Sequence, residues 1–196
     1  MTARVMTAST TFDWFQLRIE DARQAGPVQV SDDAALYLST LLADRTRADR
    51  PQPSEQTLAE LHLRAANSPP VEQGRTYREL GDRALYLLGY FSESLRRRTV
   101  GPGYYAEMGA AAYHRADRVF KERYADAFGD VFHELALHFA DCVRLIRMAR
   151  DAEIADDEDS LPFLYDRWLA TGSEVYAAKL REKGLVLPRG GDASES

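Results

Sequence analysis

The chain contains a single cysteine, Cys142, so neither an internal disulfide nor a multi-cysteine zinc site can form. Lysine is almost missing, with 3 Lys against 22 Arg. Basic residues number 25 against 31 acidic ones, a net charge of -6. No broad basic footprint stands out, which argues against nucleic acid as the main partner. β-Branched aliphatic residues are also scarce: Val and Ile together number 13, whereas Ala and Leu number 28 and 22. Strands draw on β-branched side chains, and Ala and Leu lose little entropy in a helix. The expected fold class is therefore all-α. No stretch reaches the roughly 18 apolar residues that a membrane-spanning helix needs. The opening residues, Met1 to Thr7, lack the apolar segment of a secretory signal, which makes the cytoplasm the expected compartment. What remains is an ordinary globular composition, 45% hydrophobic and 29% charged over 196 residues, long enough to bury a core without covalent staples.

Periodicity and breakers predict seven or eight helices packed as a multi-helix bundle in a single compact domain over residues 12–187. A flexible N-terminus (1–11) and a disordered tail (188–196) flank it. Thr10 or Thr11 can cap a helix over 12–24 that Gly26-Pro27 ends, and Ser31 can cap the next, with Asp32 and Asp33 at its positive end. Pro51-Gln-Pro53 breaks the chain, Ser54 opens a helix over 55–66, and Pro69-Pro70 closes it. Tyr77, Leu80, Ala84, Leu88, Phe91 and Leu95 recur at steps of three and four, which predicts a long helix over 71–97. After the turn Gly101-Pro102-Gly103, a helix over 104–127 carries Tyr105, Met108, Ala112 and Ala116. Past Gly129, one over 130–150 carries Phe132, Leu135, Phe139 and Cys142. An acidic loop follows over 151–159. Ser160 then opens a helix that turns Leu164, Trp168 and Leu169 inward, and Gly172 and Gly184 bound a last helix.

Two stretches carry a family resemblance. One is Gly81-Asp-Arg-Ala-Leu-Tyr-Leu-Leu-Gly-Tyr-Phe-Ser-Glu-Ser-Leu95, continuing through Val100-Gly-Pro-Gly-Tyr-Tyr105 to Tyr113. The other is Leu164-Tyr-Asp-Arg-Trp-Leu-Ala-Thr-Gly-Ser-Glu174. With Val30-Ser-Asp and Leu38, they resemble a family of small all-helical bacterial proteins of unassigned function. The resemblance covers most of residues 28–188. It implies an all-α fold, an intracellular bacterial setting and an association with apolar, acyl-type ligands. It carries over no catalytic residue.

Three constellations bear on chemistry. Asp130, Glu134 and His138 fall at steps of four on one helical face and could share an ion. A complete site needs ligands from other helices, and the plainer reading is a solvated polar face. Cys142 lies on an apolar stripe, where a thiol is normally inert packing. The sequence also lacks a Gly-x-Ser-x-Gly elbow and a glycine-rich phosphate loop, so an enzyme has little support. The third constellation is aromatic. Phe91, Tyr105, Met108, Phe132, Phe139 and Trp168 lie near Gly81, Gly89 and Gly109, and Arg83 could fix a carboxylate at the mouth of an apolar slot. The bland alternative is close-packed helix crossings. Arg96, Arg97 and Arg98 complement a helix dipole or meet an acidic partner.

The expected function is thus a non-enzymatic binding protein holding an apolar ligand, such as a fatty acid, through Arg83, Phe91, Tyr105, Met108, Phe132, Phe139 and Trp168 without a cofactor. One alternative is a protein-interaction or self-associating module, a homodimer among its forms. The other is a metal-dependent enzyme using Asp130, Glu134 and His138.

Overall fold

A computed structural model describes residues 10–26, 28, 30–46, 57–95, 100–124, 130–157 and 161–187. Among the described residues all regular structure is helical. The segments are α1 (Thr11–Ala25), α2 (Asp32–Thr46), α3 (Leu58–Asn67), α4 (Pro70–Tyr90), α5 (Ser92–Leu95), α6 (Pro102–Tyr124), α7 (Val131–Leu137), α8 (Phe139–Asp157), α9 (Leu161–Thr171) and α10 (Glu174–Glu182). The count exceeds the seven or eight predicted because two long helices bend. Phe91, between α4 and α5, leaves helical geometry at φ -119° and ψ 25°. The hydrogen-bond ladder still crosses it, from Phe91 N–H to Leu87 at 2.9 Å and from Leu95 N–H to Phe91 at 3.1 Å. His138 links α7 to α8 in the same way, donating to Glu134 at 2.8 Å and accepting from Cys142 at 3.0 Å.

The helix starts follow from short polar side chains that accept backbone N–H groups. Thr10 Oγ1 accepts from Asp13 at 3.1 Å, and Ser31 Oγ accepts from Ala34 at 3.1 Å. α3 begins at Leu58 with Thr57 as its N-cap, later than the expected start at residue 55. Thr57 and Glu60 form a reciprocal capping box, with Glu60 N–H donating to Thr57 Oγ1 at 3.2 Å and Thr57 N–H to the Glu60 carboxylate at 2.7 Å. Pro70 opens α4 at its first position, where a missing N–H costs nothing. Gly172 (φ 63°) and Gly184 (φ 88°) adopt left-handed backbone at the two predicted stops. α8 continues to Asp157, so most of the expected acidic loop has a helical backbone. The other expectations for 1–9, Pro51-Gln-Pro53, Ser54, Arg96–Arg98, Gly129, Glu158–Ser160 and 188–196 lie outside the described residues.

The chain divides into two compact units, 1–147 and 148–196, with the division falling inside α8. In the first, α4 and α6 form the most extensive contact. Gly74 faces Phe120 and Val119, Gly81 faces Tyr113, and Gly109 faces Ala84, so the two helices run antiparallel. α3 packs on α4, α7 on α6 and α2, and α1 on α2. Ile19, Leu38, Leu42, Leu61, Leu80, Leu85, Tyr113 and Leu135 are fully buried between them. α2 and α4 scarcely touch along their backbones and meet through long side chains. In the second unit, α9 and α10 enclose Leu164, Tyr176 and Leu180, with Trp168, Val175, Leu185 and Leu187 packed against them. Leu169, expected to face inward, is 62% exposed. Among the described residues no helix is long and apolar enough to cross a membrane.

Candidate functional site

Close packing decides where space remains between the helices. A side chain added at Gly81 would lie 2.8 Å from the Tyr113 ring, and one at Gly109 would lie 2.8 Å from Ala84 Cβ. Gly109 also meets the Phe139 ring, and Gly89 meets Ile146, closer still. These glycines serve close helix approach, and large side chains fill the space they leave. Phe132 stacks on Phe120 with ring centroids 5.2 Å apart and on Tyr113 at 6.1 Å, and Phe139 tilts against Tyr113 at 6.1 Å. Phe132 and Phe139 thus belong to a packed aromatic core. Met108 is half-buried on α6, one turn beyond Tyr105. Trp168 belongs to the 148–196 unit and the other six expected ligand residues to the 1–147 unit.

One polar cluster sits within this apolar interior. The buried Asp82 of α4 accepts from Tyr37 of α2 at 2.5 Å and from Tyr113 of α6 at 2.8 Å, both on Oδ1. Arg78 Nε donates to the Tyr37 hydroxyl at 3.0 Å and lies 3.6 Å from Asp82 Oδ2. Burial raises the Asp82 pKa, against the hydrogen bonds and Arg78, which act to lower it. Burial also pushes both tyrosines well above the ordinary phenol range, so they remain donors. Sequence reasoning missed this cluster, because nothing local distinguishes Asp82 from an exposed helix acid.

Near the C-terminal end of α4 the side chains are less covered. Tyr86 stacks on Tyr90 at 5.2 Å, and Phe91 meets the Tyr86 ring edge-on at 5.6 Å and Tyr90 at 6.0 Å. Phe91, expected on the inner stripe, is 44% exposed. The Arg45 guanidinium, from the last turn of α2, lies 5.8 Å over Tyr86. Arg83 precedes Tyr86 by three residues and so shares its face of the helix. Burial and then the Arg45 charge lower the Arg83 pKa, whereas Glu79, Tyr105 and Glu60 act to raise it. Three expected residues, Arg83, Phe91 and Tyr105, therefore belong to this end of the α4–α6 pair. Arg45, Tyr86 and Tyr90 join it. Arg45 lies four residues beyond Leu41 and eight beyond Tyr37, a spacing visible in the sequence but without meaning until α2 is placed on α4.

The carboxylate–histidine ladder has separate partners. Asp130 accepts from Lys121 at 2.8 Å, a hydrogen bond that holds its carboxyl below the ordinary range. Glu134 accepts from the Ser31 N–H and hydroxyl, each at 2.5 Å, and so ties α7 to the start of α2. His138 Nδ1 lies 3.8 Å from Asp141. Among the described residues no three His, Cys, Asp or Glu side chains gather as an ion site requires. Cys142 is buried, and burial pushes its thiol up to about 12. A groove of about 440 Å³ runs past Glu20, Arg23, Gln24, Val28, Val30 and Ser31. Its polar side chains pair with one another or with neighbours: Arg23 with Asp32 at 2.8 Å, Gln24 with Glu20 at 3.0 Å, and Ser31 with Glu134.

Comparison with known protein families, curated proteins and solved structures finds no match for this chain.

Proposed function

We propose that the chain is a non-enzymatic binding protein whose apolar ligand rests on the aromatic end of α4, over Tyr86, Tyr90 and Phe91. The observation that carries this reading is the Phe91 ring, 44% exposed while in contact with two further rings. Burying apolar surface contributes about 25 cal/mol per Å², so an acyl chain laid across three rings gains affinity without a closed cavity. The close packing at Gly81 and Gly109 favours this outer face over a slot between α4, α6 and α8. The test is titration with a fluorescent fatty acid. Saturable binding weakened roughly tenfold by Phe91→Ser, as loss of about 1.4 kcal/mol implies, supports the reading. Binding unaffected by Phe91→Ser but removed by Met108→Trp overturns it in favour of the interior.

A second reading, a protein-contact or self-associating module, draws on α9. Leu161, Tyr165 and Leu169 lie at steps of four along it and are 39%, 37% and 62% exposed. A mass that rises with concentration in wild type and not in Leu169→Glu favours this reading.

A further inference from the structure

We infer that Arg115, His62 and Tyr77 form a binding site for a phosphoryl group on the side of α4 flanked by α3 and α6. The site is separate from the aromatic end of α4: Tyr77 lies nine residues before Tyr86, about 14 Å along the helix axis.

Three helices each supply one polar side chain. The Arg115 guanidinium of α6 lies 5.4 Å from the centroid of the Tyr77 ring of α4, a stacking contact that orients it. Its Nη1 donates to the Tyr77 hydroxyl at 3.1 Å and lies 3.5 Å from Nε2 of His62 on α3. The His62 and Tyr77 rings are 6.2 Å apart. Tyr77 is buried and so fixed in place, whereas Arg115 is open to solvent and His62 is half-buried. A small ligand can therefore reach all three without a change of fold.

No carboxylate joins this group. Among the described residues neither Arg115 nor His62 forms an ion pair. The acids of the three helices serve elsewhere. Glu60 caps α3 through Thr57, Glu79 accepts from Arg64 at 2.5 Å, and Asp82 holds Tyr37 and Tyr113. Asp117 pairs with Lys121 at 3.2 Å and Glu122 with Arg118 at 3.8 Å. Glu72 and Glu107 lie more than a helical turn from Tyr77 and Arg115 along their own helices. The donors that remain suit an oxyanion with three free oxygens. A guanidinium presents a planar fork that fits paired phosphate oxygens. The Tyr77 hydroxyl accepts from Arg115 and keeps its own proton to donate. A neutral imidazole carries its proton on either nitrogen, so His62 Nε2 accepts from Arg115 in one tautomer and donates to an oxygen in the other. A carboxylate, with two oxygens, would leave one of these donors unused.

The test titrates the full chain with inorganic phosphate, phenyl phosphate and acetate at one ionic strength, because exposed charges are screened by salt. Calorimetry is expected to show phosphate or its phenyl ester binding saturably and about tenfold tighter than acetate, and the tighter of the two tells a free ion from a monoester as ligand. Arg115→Gln should weaken phosphate binding about tenfold, the scale of one charge-assisted interaction. Arg115→Lys, which keeps the charge but loses the fork, should retain part of it. Tyr77→Phe, which keeps the buried ring, should weaken phosphate binding without loss of the fold. A phosphate-dependent rise in wild-type melting temperature that Arg115→Gln removes supports the site as well. Acetate binding as tightly as both phosphates, phosphate binding that survives Arg115→Gln, or no saturable binding of either phosphate to wild type overturns it. Arg115 then serves only to cover Tyr77.

Discussion

A carboxylate buried among helices must find donors, and Asp82 finds them in the hydroxyls of Tyr37 and Tyr113. Removing it leaves Tyr113, itself fully buried, without its acceptor. Asp82→Ala should destabilise by about 1–3 kcal/mol in chemical denaturation, the cost of an orphaned buried polar group. Asp82→Asn keeps an oxygen for both hydroxyls and should cost less. The charge state gives a second check. Because burial raises the folded pKa of Asp82 above its unfolded value, the folded chain holds this proton more tightly. The group's contribution to stability is then largest at low pH and falls as pH rises through the interval between the two values. Stability of wild type relative to Asp82→Asn should decline from about pH 4 upward, the reverse of a salt-bridged carboxylate. A flat difference across that range would show that the carboxylate is not held in a desolvating site. Gly109 makes an independent case, since its place against Ala84 and Phe139 leaves no room for a side chain. Gly109→Leu should cost about 1–3 kcal/mol through overpacking, and a near-wild-type melting temperature would contradict the packing described.

At the scale of elements, helix periods and caps were readable and cross-element partners were not. Thr10 and Ser31 cap where short polar residues precede an apolar stripe, and the long periodic runs over 71–97 and 130–150 are helical across most of their described length. α3 starts later than expected because two short polar residues, Ser54 and Thr57, offer a cap in the sequence. The reciprocal Thr57-x-x-Glu60 pattern was the stronger signal. Leu169 is exposed against expectation because α9 carries apolar residues on two faces, and periodicity alone does not say which face meets a core. Glu134 shows the other limit. Its spacing from Asp130 and His138 suggested a shared ion, yet its carboxylate reaches the start of α2 instead. Glu134→Ala should therefore lower stability by about 1–2 kcal/mol through loss of that tie. His138→Ala should change neither melting temperature nor metal content by elemental analysis. Stoichiometric metal lost only in His138→Ala would restore the metal-site reading.

At the scale of the molecule, the all-α class followed from composition, because a chain rich in Ala and Leu and poor in Val and Ile has little from which to build a sheet. The site was legible only in part. Arg83, Phe91 and Tyr105 fall at one end of the α4–α6 pair, whereas Phe132 and Phe139 pack into the core and Trp168 belongs to the 148–196 unit. Helical spacing tells which residues share a face, not whether that face ends up covered, and it could not bring Arg45 from α2 to Tyr86. The central claim, an apolar ligand bound on the aromatic end of α4, is tested most directly by backbone chemical-shift mapping of the full chain during titration with dodecanoate. The account predicts saturable shifts concentrated at Tyr86, Tyr90 and Phe91. Shifts centred on Gly109 and Phe139 or on Trp168, or no saturable shift at all, would contradict it.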